Sequence, residues 1–513
     1  MLIHLEKTNI LEPFTKVFEP GVYGLMGPSG SGKTTLMNEI FRKYPRIAYV
    51  AQDAPMYDFL TVEEYIGISF QLSMHENPES IIRTMDLEDC RKTVISKISG
   101  GERKRVSIAI ELGEKPDMFL FDEPFSSLDS RTSMSTFDML KEKLSHIPIL
   151  ISIHQPSGYM FFNFNEILFM SKGVVIHDGP PGMVQQHFEQ LGYEKLHVSS
   201  VPEFAIDICQ VIENPKRINP PRVQHSSSID EIEASVEKTI QDIFFTFIPI
   251  LRREFIQNTR NPSVLKTRLL QSIIFGIFVG LLFFQLGDEQ VDVQNKTGAL
   301  FFIILNQIMS NVFSTVESFP SYLKMFRYDY KRGKYPLIVY YTSKTCIDIP
   351  FQLTSTLVFC TIALLMTNLT HRVMECVWVM FFVALSGSSF GYMMSTVSDQ
   401  FSICIVITNL CILPMMLTSG LFINNTSVPP YISWIQEINP FYFGYNALST
   451  LIWKDETIIC NEKDDSLCPY STGDEVLDYQ GIPTSNNTAT LFGLVILFRL
   501  MGYIIMCIRL RRI

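Results

Sequence analysis

Two adjacent carboxylates, Asp122 and Glu123, end an apolar run in this sequence, and a glycine-rich turn stands well upstream of them. The turn reads Gly27, Pro28, Ser29, Gly30, Ser31, Gly32, Lys33, Thr34, Thr35, follows an apolar segment and precedes a helical one. That is the context in which G-x-x-x-x-G-K-[ST] wraps a phosphate chain. Backbone N–H groups turn inward, Lys33 reaches the β and γ oxygens, and the Thr34 hydroxyl is a ligand for Mg²⁺. Carboxylates at the end of a buried strand are costly unless a cation or water is served there. Asp122 suits Mg²⁺, held mostly through water, and Glu123 suits the attacking water as its general base. His154 ends a further apolar run, Pro148–Ile153, and reaches a γ-phosphate if that run shares a sheet edge with the others. Ser99, Gly100 and Gly101 open an amphipathic helix that continues to Leu112, so a hydroxyl and free N–H groups meet at a positive helix end. That is an anion seat. Together these residues specify hydrolysis of a nucleoside triphosphate.

Such residues need a parallel sheet to converge on one edge. Leu2–Ile10, Val22–Met26, Arg46–Gln52, Met118–Phe121 and Pro148–Ile153 read as strands alternating with helices, an α/β P-loop ATPase spanning about residues 1–200. The chain has 513 residues and a formal charge of −10, which argues against nucleic acid as a partner. Residues Met1–Glu6 lack a cationic region followed by an apolar one, so membrane insertion is expected to use internal spans. Most of the ten cysteines lie in apolar segments and no C-x-x-C pair occurs, which speaks against zinc. Cys460 and Cys468 lie in an acidic polar stretch and form a candidate disulfide if that stretch faces an oxidising compartment.

Long apolar runs begin only after about residue 268. Residues 201–239 read as a linker, rich in proline and serine between Asn214 and Ser235. Residues 240–258 mix Phe244, Phe245, Phe247, Ile248 and Leu251 with Arg252, Arg253 and Glu254, the pattern of a helix lying along a membrane surface. Six apolar segments follow over residues 267–513: Thr267–Leu286, Gly298–Phe319, Cys346–Thr367, Met374–Val397, Phe401–Ile423 and Leu491–Ile508. Each is near the roughly 20 residues needed to cross a bilayer. Lysines and arginines flank the first span, follow the second and end the chain, which puts both termini in the cytosol and the acidic loop 424–490 outside or in a lumen. Asn424, Asn425 and Asn486 are glycosylation sequons in that loop. Within the spans, Asn306, Gln307, Asn311 and Asn409 are either inter-helix glue or the lining of a cavity. Arg499 is a cation in the last span, with pairing to Glu317 and snorkelling both open.

These motifs, in this order, resemble the ATP-binding cassette (ABC) ATPases. Ser-Gly-Gly-Glu-Arg-Lys-Arg-Val-Ser-Ile, Ile-His-Gln-Pro-Ser and Val184-Gln-Gln-His-Phe-Glu-Gln-Leu-Gly-Tyr193 further resemble subfamily G half-transporters, the white-pigment and multidrug-exporter type. The resemblance implies that Ser99 to Glu102 open the signature sequence, that Gln52 is the Q-loop residue near Mg²⁺, that Asp129 belongs to the D-loop and that His154 is the switch histidine. It also implies a six-helix membrane domain, ATP and Mg²⁺, and a homodimer or heterodimer in which each signature turn closes over nucleotide held by the other copy. The cytosolic loop Lys324–Lys344 would pass that closure to the spans. The implied work is ATP-driven export or flopping of a lipophilic or amphipathic small molecule across the plasma membrane or an internal one. Similarity to exporting members favours a substrate cavity at Asn306, Gln307, Asn409 and Met416, with Leu421 and Phe422 as an apolar plug. Two departures stand out: only sixteen residues separate Thr35 from Gln52, and no aromatic residue in Met1–Ile10 offers itself to adenine. A regulatory subunit of a heterodimeric transporter is the alternative reading.

Overall fold

The computed structural model describes residues 1–44, 46–52, 54–73, 78–113, 116–126, 128–195, 200–218, 240–369, 372–459, 469–483 and 487–511. The chain divides into two compact units, residues 1–249 with 331–334, and residues 250–330 with 335–513.

In the first unit, β1 (Leu2–Leu5) pairs with β2 (Phe14–Val17) in a small antiparallel sheet. The main sheet contains β3 (Gly21–Met26), β4 (Ile47–Val50), β5 (Met118–Asp122), β6 (Pro148–Ser152), β7 (Glu166–Ser171) and β8 (Val174–Gly179) in the order β4-β5-β6-β3-β7-β8. Its pairs are parallel except β7–β8. Every residue of β3, β5 and β6 is buried, which explains why these strands read as continuous apolar runs rather than alternating ones. Register places Asp122 opposite Ser152, and Ser152 opposite Leu25 near the end of β3. The strand ends carrying the glycine-rich turn, the carboxylates and the histidine therefore share one edge. Helices α1 (Lys33–Lys43), α2 (Val62–Leu72), α3 (Pro78–Thr84), α4 (Gly100–Leu112), α5 (Ser130–Leu144), α6 (Gly158–Asn163), α7 (Val184–Gln190) and α8 (Val201–Val211) complete this unit. Residues Lys331–Lys334 cluster with it, and Arg332 and Lys334 reach the buried Glu111 at 3.4 and 3.9 Å.

Helix α9 (Ile240–Arg260) crosses the division, and the second unit continues with α10 (Pro262–Leu282), α11 (Gln290–Lys331), α12 (Leu337–Met366), α13 (Val373–Ser395), α14 (Phe401–Leu417), α15 (Trp434–Glu437), α16 (Pro440–Trp453), α17 (Gly473–Gln480) and α18 (Asn487–Leu510). Among the described residues, four helices are long and apolar enough to cross a membrane: α11, α12, α13 and α18. The sequence predicts six spans. The remaining two expected spans correspond to α10, which carries Lys266 and Arg268 in its first two turns, and to α14, which stops after 17 residues. Past Leu417 the chain turns through Gly420 at φ +104°, so the expected Phe401–Ile423 span ends early. Helix α11 runs 42 residues, far past the expected Gly298–Phe319.

Helix α13 packs on α12, α16 and α18. Small residues let α11 come close to it. A Cβ on Gly391 would stand 2.8 Å from the Val312 carbonyl oxygen, and one on Gly387 3.1 Å from that of Ile308. Lipid chains supply no hydrophobic drive between helices, so such close backbone packing is what holds them together. Arg499 takes neither expected course. It donates to Ser389 at 3.1 Å and Thr345 at 3.2 Å and lies 3.9 Å from the Tyr392 ring centroid, while Glu317 is exposed.

Candidate functional site

The glycine-rich turn is built on backbone that only glycine tolerates. Gly27 has φ +151°, and a Cβ there would fall 2.3 Å from the Met170 carbonyl oxygen. Lys33, the first residue of α1, is buried and donates to the carbonyls of Gly27 at 2.7 Å and Pro28 at 3.0 Å. Burial pushes its pKa down, with the Glu123 and Asp122 carboxylates opposing that shift. An ammonium held against its own loop is ready to exchange two carbonyls for phosphate oxygens.

The sheet edge brings Thr34 and Asp122 together, Thr34 Oγ1 donating to Asp122 Oδ1 at 3.4 Å. Ser152 Oγ donates to the same oxygen at 2.6 Å, and Tyr49 OH donates to Asp122 Oδ2 at 3.0 Å. A hydroxyl and a carboxylate converging from α1 and β5 are hard oxygen donors of the kind Mg²⁺ takes, so these residues fit the ion. Glu123 stands in left-handed backbone at φ +45°, a strained conformation for a side chain of this kind. Its N–H donates to Ser152 Oγ at 2.8 Å, and its carbonyl accepts from Ser126 Oγ at 3.1 Å. Gln52 Nε2 in turn donates to Ser126 Oγ at 3.4 Å, which places Gln52 beside the carboxylate loop. His154, two residues past β6, is exposed. Pro28, Ser29, Gly30, Ser31, Gly32 and Thr35 fill out the turn and the start of α1, with Ser31 buried.

Ser99 and Glu102 form a reciprocal cap on α4. Ser99 Oγ donates to Glu102 Oε2 at 2.7 Å, the Ser99 N–H reaches the same oxygen at 2.8 Å, and the Glu102 N–H returns to Ser99 Oγ at 3.3 Å. These bonds hold the Glu102 carboxyl below its usual range. Gly101 lies against α5, where an added Cβ would meet Thr132 Cγ2 at 2.8 Å. Asp129 caps α5 by accepting from the Thr132 N–H at 3.1 Å, and its hydrogen bonds with Thr132 lower its pKa. The turn from Ser99 through Gly100 to Glu102 is thus tied to Asp129 through Thr132. Among the described residues no hydrogen bond joins it to the glycine-rich turn or the carboxylates.

Tyr49 and Ser152 escape sequence reasoning. Both sit in apolar strands where a lone polar residue looks incidental, and only the register of β4, β5 and β6 turns them toward Asp122. Ser152→Ala would remove one donor from Asp122 and the acceptor for the Glu123 N–H. The expected loss is about 1–3 kcal/mol for the buried group left unpaired. It should appear as a lower unfolding midpoint of the purified chain in a thermal scan.

In the second unit an opening of about 320 Å³ has Asn306 and Gln307 on its wall. Gln307 also donates to Thr356 Oγ1 at 2.5 Å. Asn409 is exposed and Met416 half-buried, and neither lines this opening. Leu421 packs on the helical core, and the Phe422 ring lies 5.2 Å from that of Phe301. Cys460, Cys468 and Asn486 lie outside the described residues.

Two family models match the chain: ABC transporter over residues 15–126, and ABC-2 type transporter over residues 246–453. The chain is 28% identical to "Protein white" of Drosophila melanogaster, over 99% of this chain and 84% of the relative. It is 26% identical to "Broad substrate specificity ATP-binding cassette transporter ABCG2" of Mus musculus, over 97% and 90%. With "ABC transporter ATP-binding protein/permease wht-3" of Caenorhabditis elegans it shares 26%, over 99% and 92%. Nucleotide chemistry at the sheet edge and a helical membrane unit behind it agree with these matches along nearly the whole chain: it belongs to the ABC transporters, as an ATP-hydrolysing half-transporter of subfamily G.

Proposed function

We propose that this transporter exports, or flops, a lipophilic or amphipathic small molecule, working as a dimer of half-transporters in the plasma membrane or an internal membrane. The observation that carries the reading is the division of the ATP site. Thr34, Asp122, Glu123 and Ser152 meet at one sheet edge, whereas Ser99 to Glu102 bond only among themselves. A second copy, alike or different, supplies the missing half, and a two-fold arrangement then yields two ATP sites and one pathway.

In this reading Lys33 and the turn Gly27–Thr35 bind the phosphates, and Thr34, Asp122 and Gln52 hold Mg²⁺, which supplies charge neutralisation on the phosphates when bound. Glu123 takes a proton from the attacking water, and His154 meets the γ-phosphate. Ser99, Gly100, Gly101, Glu102 and Asp129 of the second copy close the site. Nucleotide must bind the closed dimer far better than the open one, and hydrolysis resets it. Both termini and residues 1–200 lie in the cytosol, the linker 201–239 and helix 240–258 lead to the membrane domain 267–513, and loop 424–490 lies opposite. Asn306 and Gln307 line part of the substrate path.

Reconstitution of the purified chain in lipid vesicles tests this. Magnesium-dependent ATP hydrolysis with ATP-dependent movement of a lipophilic fluorophore is the expected outcome. A chain that binds ATP but hydrolyses it only beside a different half-transporter would replace this reading with that of a regulatory subunit.

A further inference from the structure

A guanidinium inside a membrane-spanning bundle costs a few kcal/mol at least, so such residues are found paired. The cations of the second unit follow that rule. Arg253 reaches Asp329 at 3.1 Å, Lys344 reaches Asp348 at 3.8 Å, and Arg509 reaches Asp399 at 3.0 Å. Arg499 has two hydroxyl partners and an aromatic face.

Arg268 differs. It stands in the second turn of α10, half-buried, and its Nε donates to Ser314 Oγ at 2.6 Å. Among the described residues no carboxylate lies within ion-pair distance of it. Its side chain faces the opening of about 320 Å³, together with Gln271 and Ser272 of α10, Ser310 of α11 and Ser355 of α12. Every side chain on that wall is polar, although the helices that form it are largely apolar. A hydrocarbon group placed there would strip water from hydroxyls and amides and repay none of it. An occupant with negative charge and acceptor oxygens would satisfy both the guanidinium and the amide and hydroxyl donors around it.

We propose that this opening takes the anionic head of an amphipathic molecule, a phosphate, sulfate or carboxylate, with Arg268 as its charge partner. The proposal rests on the export reading above, since it names the substrate class of that path. The apolar tail would lie along the exposed apolar faces of α10, where Leu270, Ile274 and Phe278 are more than half exposed. A bilayer lipid and a free amphipath share this chemistry.

The test is equilibrium binding of dodecyl phosphate and dodecanol to the full chain in phosphatidylcholine vesicles. Dodecyl phosphate should bind more tightly than dodecanol, Arg268→Gln should weaken the phosphate about tenfold or more while leaving dodecanol unchanged, and Arg268→Lys should restore part of the loss. Ser310→Asp, which sets a like charge in the opening, should weaken only the phosphate. Equal binding of dodecyl phosphate by the natural chain and by both Arg268→Gln and Ser310→Asp would overturn the proposal. Adding phosphatidylserine separates the sources. Competition seen with the natural chain beyond that seen with Arg268→Gln assigns the site to a lipid headgroup, and its absence to a free amphipath. ATP-dependent transport of the same probe is read separately. Charge-selective binding without transport sinks the export reading alone, and transport indifferent to Arg268 sinks this one alone.

Discussion

Replacing Glu123 with glutamine is expected to stop ATP turnover while leaving ATP binding within a few-fold of the natural chain. The substitution keeps shape and hydrogen-bonding capacity and removes only the basic oxygen, so it isolates the proton-transfer role. Nothing else at the sheet edge is disturbed. The Glu123 N–H remains on Ser152 Oγ, its carbonyl remains on Ser126 Oγ, and Asp122 keeps Tyr49, Ser152 and Thr34. The side chain also cannot swing away cheaply, because its backbone is held at φ +45° by those two bonds. General-base catalysis is worth about 10²–10⁴ in rate, and a loss of that size is the expected reading in steady-state phosphate release. Binding of a fluorescent ATP analogue supplies the control. Turnover above half the natural rate would take Glu123 out of the base role and leave it a structural strand end.

The parts of this site that the sequence makes legible are those whose conformation is local. Gly27 must be glycine because of its own φ and the approach of Met170, so the turn announces itself. The Ser99–Glu102 box is set by a three-residue spacing. Tyr49 and Ser152 depend on which strands lie side by side, and the order β4-β5-β6-β3 has no signature in either residue's neighbourhood. In the membrane unit periodicity was available and underused: Cys404, Thr408, Ile412 and Met415 recur at helical spacing on the buried face of α14, so Asn409 must point elsewhere. The course of Arg499 was not readable, since Ser389, Thr345 and Tyr392 come from two other helices. Arg268 counts in the sequence as one more basic residue flanking a span, and only packing of α10 against α12 and beside α11 gives it a polar opening to face.

Mixing two inactive chains should restore activity if the ATP site is shared between copies. Ser99→Arg places a bulky cation at the start of α4 and breaks the reciprocal cap with Glu102, so that copy cannot close over nucleotide. Lys33→Ala removes the ammonium that the glycine-rich turn holds ready, so that copy cannot grip phosphate. Each homodimer is dead at both sites. In a mixed dimer the intact turn of the Ser99→Arg chain meets the intact α4 start of the Lys33→Ala chain, and one complete site returns beside one doubly damaged one. With random pairing of equal amounts, half the dimers are mixed and half their sites are whole, so about a quarter of all sites are intact in a closed two-fold assembly. Separate affinity tags on the two chains, purified in sequence, isolate the mixed dimer and raise that share to about one half. ATP hydrolysis per dimer is the measurement. A tandem-purified mixed dimer as inactive as either parent would exclude a site completed head to tail between copies, whereas activity already present in the Ser99→Arg homodimer would show that a single copy closes its own site.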